Sequence, residues 1–285
     1  MIQEFSKIAV IGAGTMGNGI AHVFAQYGYS VNLIDISEAA LQHGLNTISA
    51  NMDRQVKKEI ITPEEKAAAI GRIQSITSLE AGVRDRDLIV EAATENVALK
   101  LNIFRDMDIF APAHAILATN TSSISITQIA AATRRSDKVI GMHFMNPVPM
   151  MKLVEIINGY DTAAEVTQAI VSLSEDLGKT PVPVNDYPGF IANRILMPMI
   201  NEAIYAHFEG VAGVEEIDAV MKLGMAHPMG PLQLADFIGL DVCLAIMEVL
   251  FQGFGNPKYA PCPLLKNMVA AGHLGRKTGR GFYQY

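Results

Sequence analysis

His143 closes an apolar run at 139–143, and twelve residues later Glu155 sits inside a second run at 153–157. An imidazole in that position can take the proton of an alcohol while its hydride leaves for a nicotinamide. A carboxylate among apolar neighbours is costly unless paired, and pairing with His143 would fix the imidazole tautomer and stabilise the imidazolium. The same pattern fits a half-buried strand that points Glu155 at solvent, and the residues alone do not decide between the two. Asn120, Thr121, Ser122 and Ser123 follow another apolar run. Their polar groups either reach a substrate oxygen or form a Ser/Thr turn capping a helix near Thr127. Asn193 is similarly open: a cap-region amide, or a donor facing a cleft between domains.

A second group of residues points to a nucleotide. Gly12, Ala13, Gly14, Thr15, Met16 and Gly17 fit GxGxxG between a strand and a helix. Glycines there give a tight turn, close approach of backbone to pyrophosphate and close helix–strand packing, and the helix N-terminus faces the phosphates. Asp35 ends the next apolar run, 18 residues after Gly17. A carboxylate there accepts from the adenosine ribose hydroxyls and repels a 2′-phosphate, so the expected cofactor is NAD rather than NADP. The alternative for Asp35 is a surface residue capping the helix that begins near Ser37.

The elements that must position these residues alternate in type. Strands are expected at 7–11, 30–35, 87–91, 115–119, 139–143 and 180–184, with 153–157 as a further, antiparallel one. Met16, Ile20, Val23 and Phe24 recur at helical spacing, and Gly28 closes that helix. The stretch 179–189 carries three prolines and reads as an extended connection. Beyond it come helices at 190–208, kinked at Pro198, 215–223, 232–238, 243–251 and 263–271. The expected architecture is α/β: a Rossmann-type, mostly parallel sheet domain over 1–185, then an all-α domain over 186–285.

Composition narrows the class. The 285 residues are half hydrophobic, with 22 basic against 29 acidic side chains and a net charge of −7. That excludes dominant disorder and argues against nucleic acid as a partner. A long stretch without Asp, Glu, Lys or Arg, 109–133, contains Pro112, His114 and Asn120 and is no membrane span. Two cysteines are too few for a disulfide framework or a zinc site, so no metal is expected and the compartment reads as the cytoplasm.

Taken together the motifs resemble the 3-hydroxyacyl-CoA dehydrogenase family. The resemblance spans the chain: GAGTMG (12–17), DLIVEAATEN (87–96), TNTSSISI (119–126), GMHFMNPVPMMKLVEII (141–157), PGFIANRILMPMINEA (188–203), HPMGPLQLADFIGLD (227–241) and GRKTGRGFYQY (275–285). It implies an NAD-dependent oxidoreductase that interconverts (S)-3-hydroxyacyl-CoA, of short chain such as 3-hydroxybutyryl-CoA, and 3-oxoacyl-CoA. By resemblance His143 is the general base, Glu155 its orienting partner and Ser122 the ligand of the substrate's 3-oxygen. Asn193 completes the site from the helical domain. Glu95 and Lys100 match positions near the ribose–nicotinamide half of the cofactor, Asn120 and Asn146 match nicotinamide-side contacts, and Lys277 matches a lysine that reaches the cofactor. Arg54, Lys57 and Lys58, with Asn51 nearby, match the region that meets coenzyme A; the alternative is a solvated basic face. The helical domain is the dimerisation surface in this family, which implies a homodimer. Met225, Ala226 and His227 depart from the family's glycine and aromatic pattern, which puts that loop's packing in question. Two other roles exist on this scaffold: dehydrogenation of a free 3-hydroxy acid, and a non-catalytic structural or binding role.

Overall fold

The computed structural model describes residues 5–285. Eight strands form one sheet: β1 (Lys7–Ile11), β2 (Ser30–Ile34), β3 (Ile73–Ile76), β4 (Leu88–Glu91), β5 (Ile116–Thr119), β6 (Val139–Phe144), β7 (Leu153–Asn158) and β8 (Thr180–Asn185). Their spatial order is β3-β2-β1-β4-β5-β6-β7-β8. Neighbours from β3 to β6 run parallel, β7 runs antiparallel to β6, and β8 is parallel to β7. The mostly parallel sheet expected from sequence is present, and so is the reversed strand at β7. Chain order turns back on either side of β1, so a crevice opens at the carboxyl ends of β1 and β4, where open α/β sheets bind ligands.

Seven helices fill the crossovers, not all of them legible in the sequence. α1 (Thr15–Gln26) buries Ile20, Val23 and Phe24 against the sheet, about 1.5–3 kcal/mol for each large side chain. It stops where Gly28 takes φ +98°. α2 (Glu38–Lys57) starts at Ser37, whose side chain accepts from the Ala40 amide. α3 (Pro63–Gly71) opens with a reciprocal Thr62–Glu65 capping box. α4 (Leu79–Val83), α5 (Val97–Phe110), α6 (Ile126–Ala130) and α7 (Ala164–Asp176) complete the crossovers.

The chain divides into two compact units, 1–186 and 187–285. The second holds α8 (Ala192–Phe208), α9 (Val214–Gly224), α10 (Pro231–Ile238), α11 (Leu240–Phe254) and α12 (Pro263–Ala270), with no strand among the described residues. Met197, Ile200, Ile204, Leu232, Met247 and Leu250 form its core. α8 begins two residues later than expected because Gly189 and Phe190 both take positive φ, +76° and +48°. Two buried carboxylates fasten the tail. Asp236 accepts from the Phe282 and Tyr283 amides at 3.0 and 2.9 Å, and Asp218 accepts from the Tyr283 hydroxyl at 2.8 Å. Burial, with Asp218 close by, pushes the Tyr283 phenol up. In the departing loop Ala226 adopts φ +57°, a conformation glycine takes more readily. No helix among the described residues is long and apolar enough to cross a membrane.

Candidate active site at the carboxyl edge of the sheet

The glycine turn is built by exclusion. At Gly12, φ is +98° and a Cβ would stand 2.6 Å from the Ala92 carbonyl oxygen, so the turn after β1 lies flush on the residues after β4. A Cβ on Gly17 would overlap the Gly12 carbonyl, which is why α1 can begin so close to the turn. Gly14 is different: a Cβ there would meet nothing within 4 Å. Space for a ligand, rather than contact with protein, surrounds it. No side chain caps α1 at Gly14 and its first turn has no acidic residue, so the positive end of the helix faces that space. This cradle fits a dinucleotide pyrophosphate.

Asp35 follows β2 and holds the turn from the side. Its Oδ2 accepts from the Ala13 amide at 2.9 Å and its Oδ1 from the Ser37 amide at 3.0 Å. The capping residue of α2 is therefore Ser37, and Asp35 braces both it and the glycine turn. A carboxylate has about four lone-pair directions, so both ribose hydroxyls can still be received.

His143 and Glu155 are directly opposite each other in the antiparallel β6–β7 ladder. Opposed residues share a face, and the His143 Nδ1 lies 2.8 Å from the Glu155 Oε2. Both residues are buried, Glu155 to 2% exposure, so the solvent-facing alternative is excluded. A carboxylate at Nδ1 selects the tautomer with hydrogen on that nitrogen, which gives Nε2 the lone pair a base needs. Asn120 ties this strand to its neighbour: its Oδ1 accepts from the Phe144 amide at 2.9 Å.

The cluster after β5 converges on Glu95. One oxygen of Glu95 accepts from the Thr121 hydroxyl at 2.6 Å, the Ser123 hydroxyl at 2.8 Å and the Ser122 and Ser123 amides, each at 3.1 Å. Burial alone would raise the Glu95 carboxyl, but these donors and the nearby Lys100 ammonium outweigh it and hold the group below the usual carboxylate range. The cap of α6 is Ser125, not a residue of the 120–123 cluster. Lys100 lies directly behind this cluster. It is 1% exposed, and its ammonium donates to both Glu91 oxygens at 2.7 and 2.9 Å and to the Ala93 carbonyl at 3.2 Å. With three donors so placed, it supports Glu91 and Glu95 from beneath.

A cleft beside the glycine turn is lined by Gly14, Thr15, His43, Thr47, Asn51 and Asn146. Four of these, Gly14, Thr15, Asn51 and Asn146, were expected at ligand. Asn51 accepts from Arg54 at 2.8 Å, and Arg54, Lys57 and Lys58 are exposed at the end of α2.

The comparisons with known proteins agree with this geometry. Models of the 3-hydroxyacyl-CoA dehydrogenase family match over 7–187 for its NAD-binding domain and over 189–285 for its C-terminal domain. The chain belongs to the 3-hydroxyacyl-CoA dehydrogenase family. It is thus an NAD-dependent oxidoreductase. A probable 3-hydroxybutyryl-CoA dehydrogenase of Bacillus subtilis is 53% identical, covering 99% of this chain and 98% of the relative. A 3-hydroxybutyryl-CoA dehydrogenase of Bradyrhizobium diazoefficiens is also 53% identical, covering 100% and 97%. The crystal structure of (S)-3-hydroxybutyryl-CoA dehydrogenase from Ralstonia eutropha superimposes with a TM-score of 0.96 at 52% identity, covering 99% of each chain.

Two expected site residues of the dehydrogenase lie in the helical unit. Asn193 is in the first turn of α8, half-buried. Lys277 pairs with Asp241 at 2.6 Å within its own unit, and this partner outweighs burial to hold the Asp241 carboxyl low. Sequence reasoning missed Glu91, Thr119, His43, Thr47 and Lys179. Lys179 donates to the Val148 and Met151 carbonyls at 2.6 and 2.8 Å and so pins the link between β6 and β7 that carries Asn146. His43, Thr47 and Asn51 recur every four residues on α2, a spacing that could have revealed the cleft face.

Proposed function

We propose that this enzyme reversibly oxidises short (S)-3-hydroxyacyl-CoA, 3-hydroxybutyryl-CoA among them, to 3-oxoacyl-CoA, with His143 as the general acid and base. The observation that carries the reading is the buried His143–Glu155 pair, opposed in register on the strands beyond the glycine turn. His143 accepts the hydroxyl proton at Nε2, and Glu155 stabilises the imidazolium that results. Bound NAD supplies the acceptor for the hydride from C3. Asp35 receives the ribose hydroxyls, and Ile36, 96% exposed beside it, offers an apolar face to adenine. Ser122 donates to the substrate's 3-oxygen, where negative charge develops during reduction. Arg54 and Lys58 supply cations for the coenzyme A phosphates. The names of the relatives support the acyl-CoA substrate. The enzyme works as a homodimer joined through its helical unit.

The test is NADH absorbance on mixing the pure protein with acetoacetyl-CoA, beside parallel mixtures with acetoacetate and with NADPH. Rapid loss confined to acetoacetyl-CoA with NADH is expected. Equal activity with acetoacetate would move the function to a free hydroxy acid, and loss with neither, in protein shown to bind NADH, would overturn the reading.

A further inference from the structure

Among the described residues, the most deeply enclosed charges in the sheet unit lie beneath the proposed site. Glu91 ends β4 with no exposure and Lys100, on α5, has 1%. Glu91 Oε1 also accepts from the Ala93 amide at 2.6 Å and Oε2 from the Thr119 hydroxyl at 2.7 Å. Thr119 in turn accepts from the Thr121 amide at 3.2 Å, and Thr121 donates to Glu95 at 2.6 Å. Lys100 approaches Glu95 directly, with 3.4 Å between Nζ and Oε2. Two routes thus run from Glu91 to Glu95, one ionic and one through hydroxyls. Both end at the turn that presents Ser122. A buried ion pair is weak evidence for stability in itself, because desolvation offsets the attraction; its retention calls for a role in holding geometry.

We propose that Glu91 and Lys100 are a positioning pair: they fix Glu95, and through it the 121–123 turn, so that the cofactor and the substrate's 3-oxygen meet a preorganised edge. This rests on the reading of Ser122 and Glu95 as site residues given above. The charged groups facing Glu95 are Lys100 from α5 and, behind it, Glu91 from β4. The turn contributes hydroxyls and amides but no charge. Removing the Lys100 ammonium leaves burial opposed only by those neutral donors, so Glu95 takes up a proton at higher pH and the turn loses its acceptor.

The test uses Glu91→Gln/Lys100→Met, which removes both charges and leaves neither one unpaired, with NADH affinity measured by fluorescence titration from pH 5 to pH 8. The expected result is a loss of NADH affinity on the acid side that sets in at higher pH than in wild type, because Glu95 then titrates without the Lys100 charge beside it. Adding Glu95→Gln to the pair variant should abolish this extra pH dependence. A pair variant with the wild-type profile, or one weakened equally at every pH, overturns the proposal. Should the pair variant not fold, Thr119→Val removes a donor from Glu91 without touching a charge. It should shift the profile in the same direction by a smaller amount, and no shift would again overturn the proposal. Glu95→Gln alone separates the two layers: unchanged NADH affinity and KM in that variant would remove Glu95 from the site itself.

Discussion

An imidazole engaged at Nδ1 by a buried carboxylate has its ring orientation and tautomer settled before substrate arrives, and that is what His143 has in Glu155. Replacing it by glutamine preserves polarity but provides no base. His143→Gln should therefore lower kcat by roughly 10²–10⁴-fold with NADH affinity nearly unchanged, since the cofactor cradle lies on other strands. Turnover like wild type, in stopped-flow or steady state, would remove His143 from the chemistry. Asp35 carries a different burden. It holds the Ala13 amide and, in the proposed reading, receives the ribose, so Asp35→Ala forfeits one or two charge-assisted hydrogen bonds, each worth about 1.5–3 kcal/mol. NADH should bind more than tenfold weaker and the preference over NADPH should narrow. An unchanged ratio of the two affinities would mean that the carboxylate serves the turn alone.

Between elements, the seam of α1 and α2 contains a titratable group that no catalytic argument needs. His22 is fully buried on α1, 3.0 Å from Gln26, and burial pushes its imidazole down to about 4. An unfolded chain binds that proton with a pKa near 6.5, so from there down to about 4 the unfolded state holds more protons and stability falls with pH. Between pH 7 and pH 4.5 the loss from this residue is about 2 kcal/mol. His22→Leu should be less acid-sensitive by that amount in urea melts; equal losses in both proteins would show that the acid sensitivity arises elsewhere. The elements themselves were legible to different degrees. Buried parallel strands such as β1 and β4 read as apolar runs, and the glycine turn and Asp35 fixed the order around them. β3 was not seen, because IQSI is four residues with two polar ones on the edge of the sheet. The proline-rich β8 also lies at an edge. Thr180 donates to the Lys152 carbonyl just before β7 and Asp186 to Asn158 at its end, which turns the alternate positions Pro181 and Pro183 outward, where a missing N–H costs nothing. Glu155 needed the structure because pairing depends on register across an eight-residue link, and Glu91 needed it because a carboxylate ending a strand looks like any solvated terminus.

At the scale of the molecule, the helical unit leaves more apolar surface uncovered than its core explains. α9 buries only Asp218, while Val220 and Leu223 stand 60% and 86% exposed one turn apart, and Phe208 and Phe237 are also exposed. Isolated exposed apolar residues are ordinary, but several large ones on one small helical unit mark an interface. A second copy of the chain is the partner that fits: a stable dimer needs about 800 Å² from each subunit and is symmetric, so one patch can serve both. Sedimentation velocity should give a species of twice the 30.8 kDa chain mass. Leu223→Asp would place a carboxylate in the contact, where burial without a partner is costly, and should shift the protein to monomer at micromolar concentration while leaving its secondary structure intact. A monomeric wild type would end the dimer reading. A dimer indifferent to Leu223→Asp would keep the assembly but move its seam away from α9, and with it the physical reason for that helix's exposed side chains.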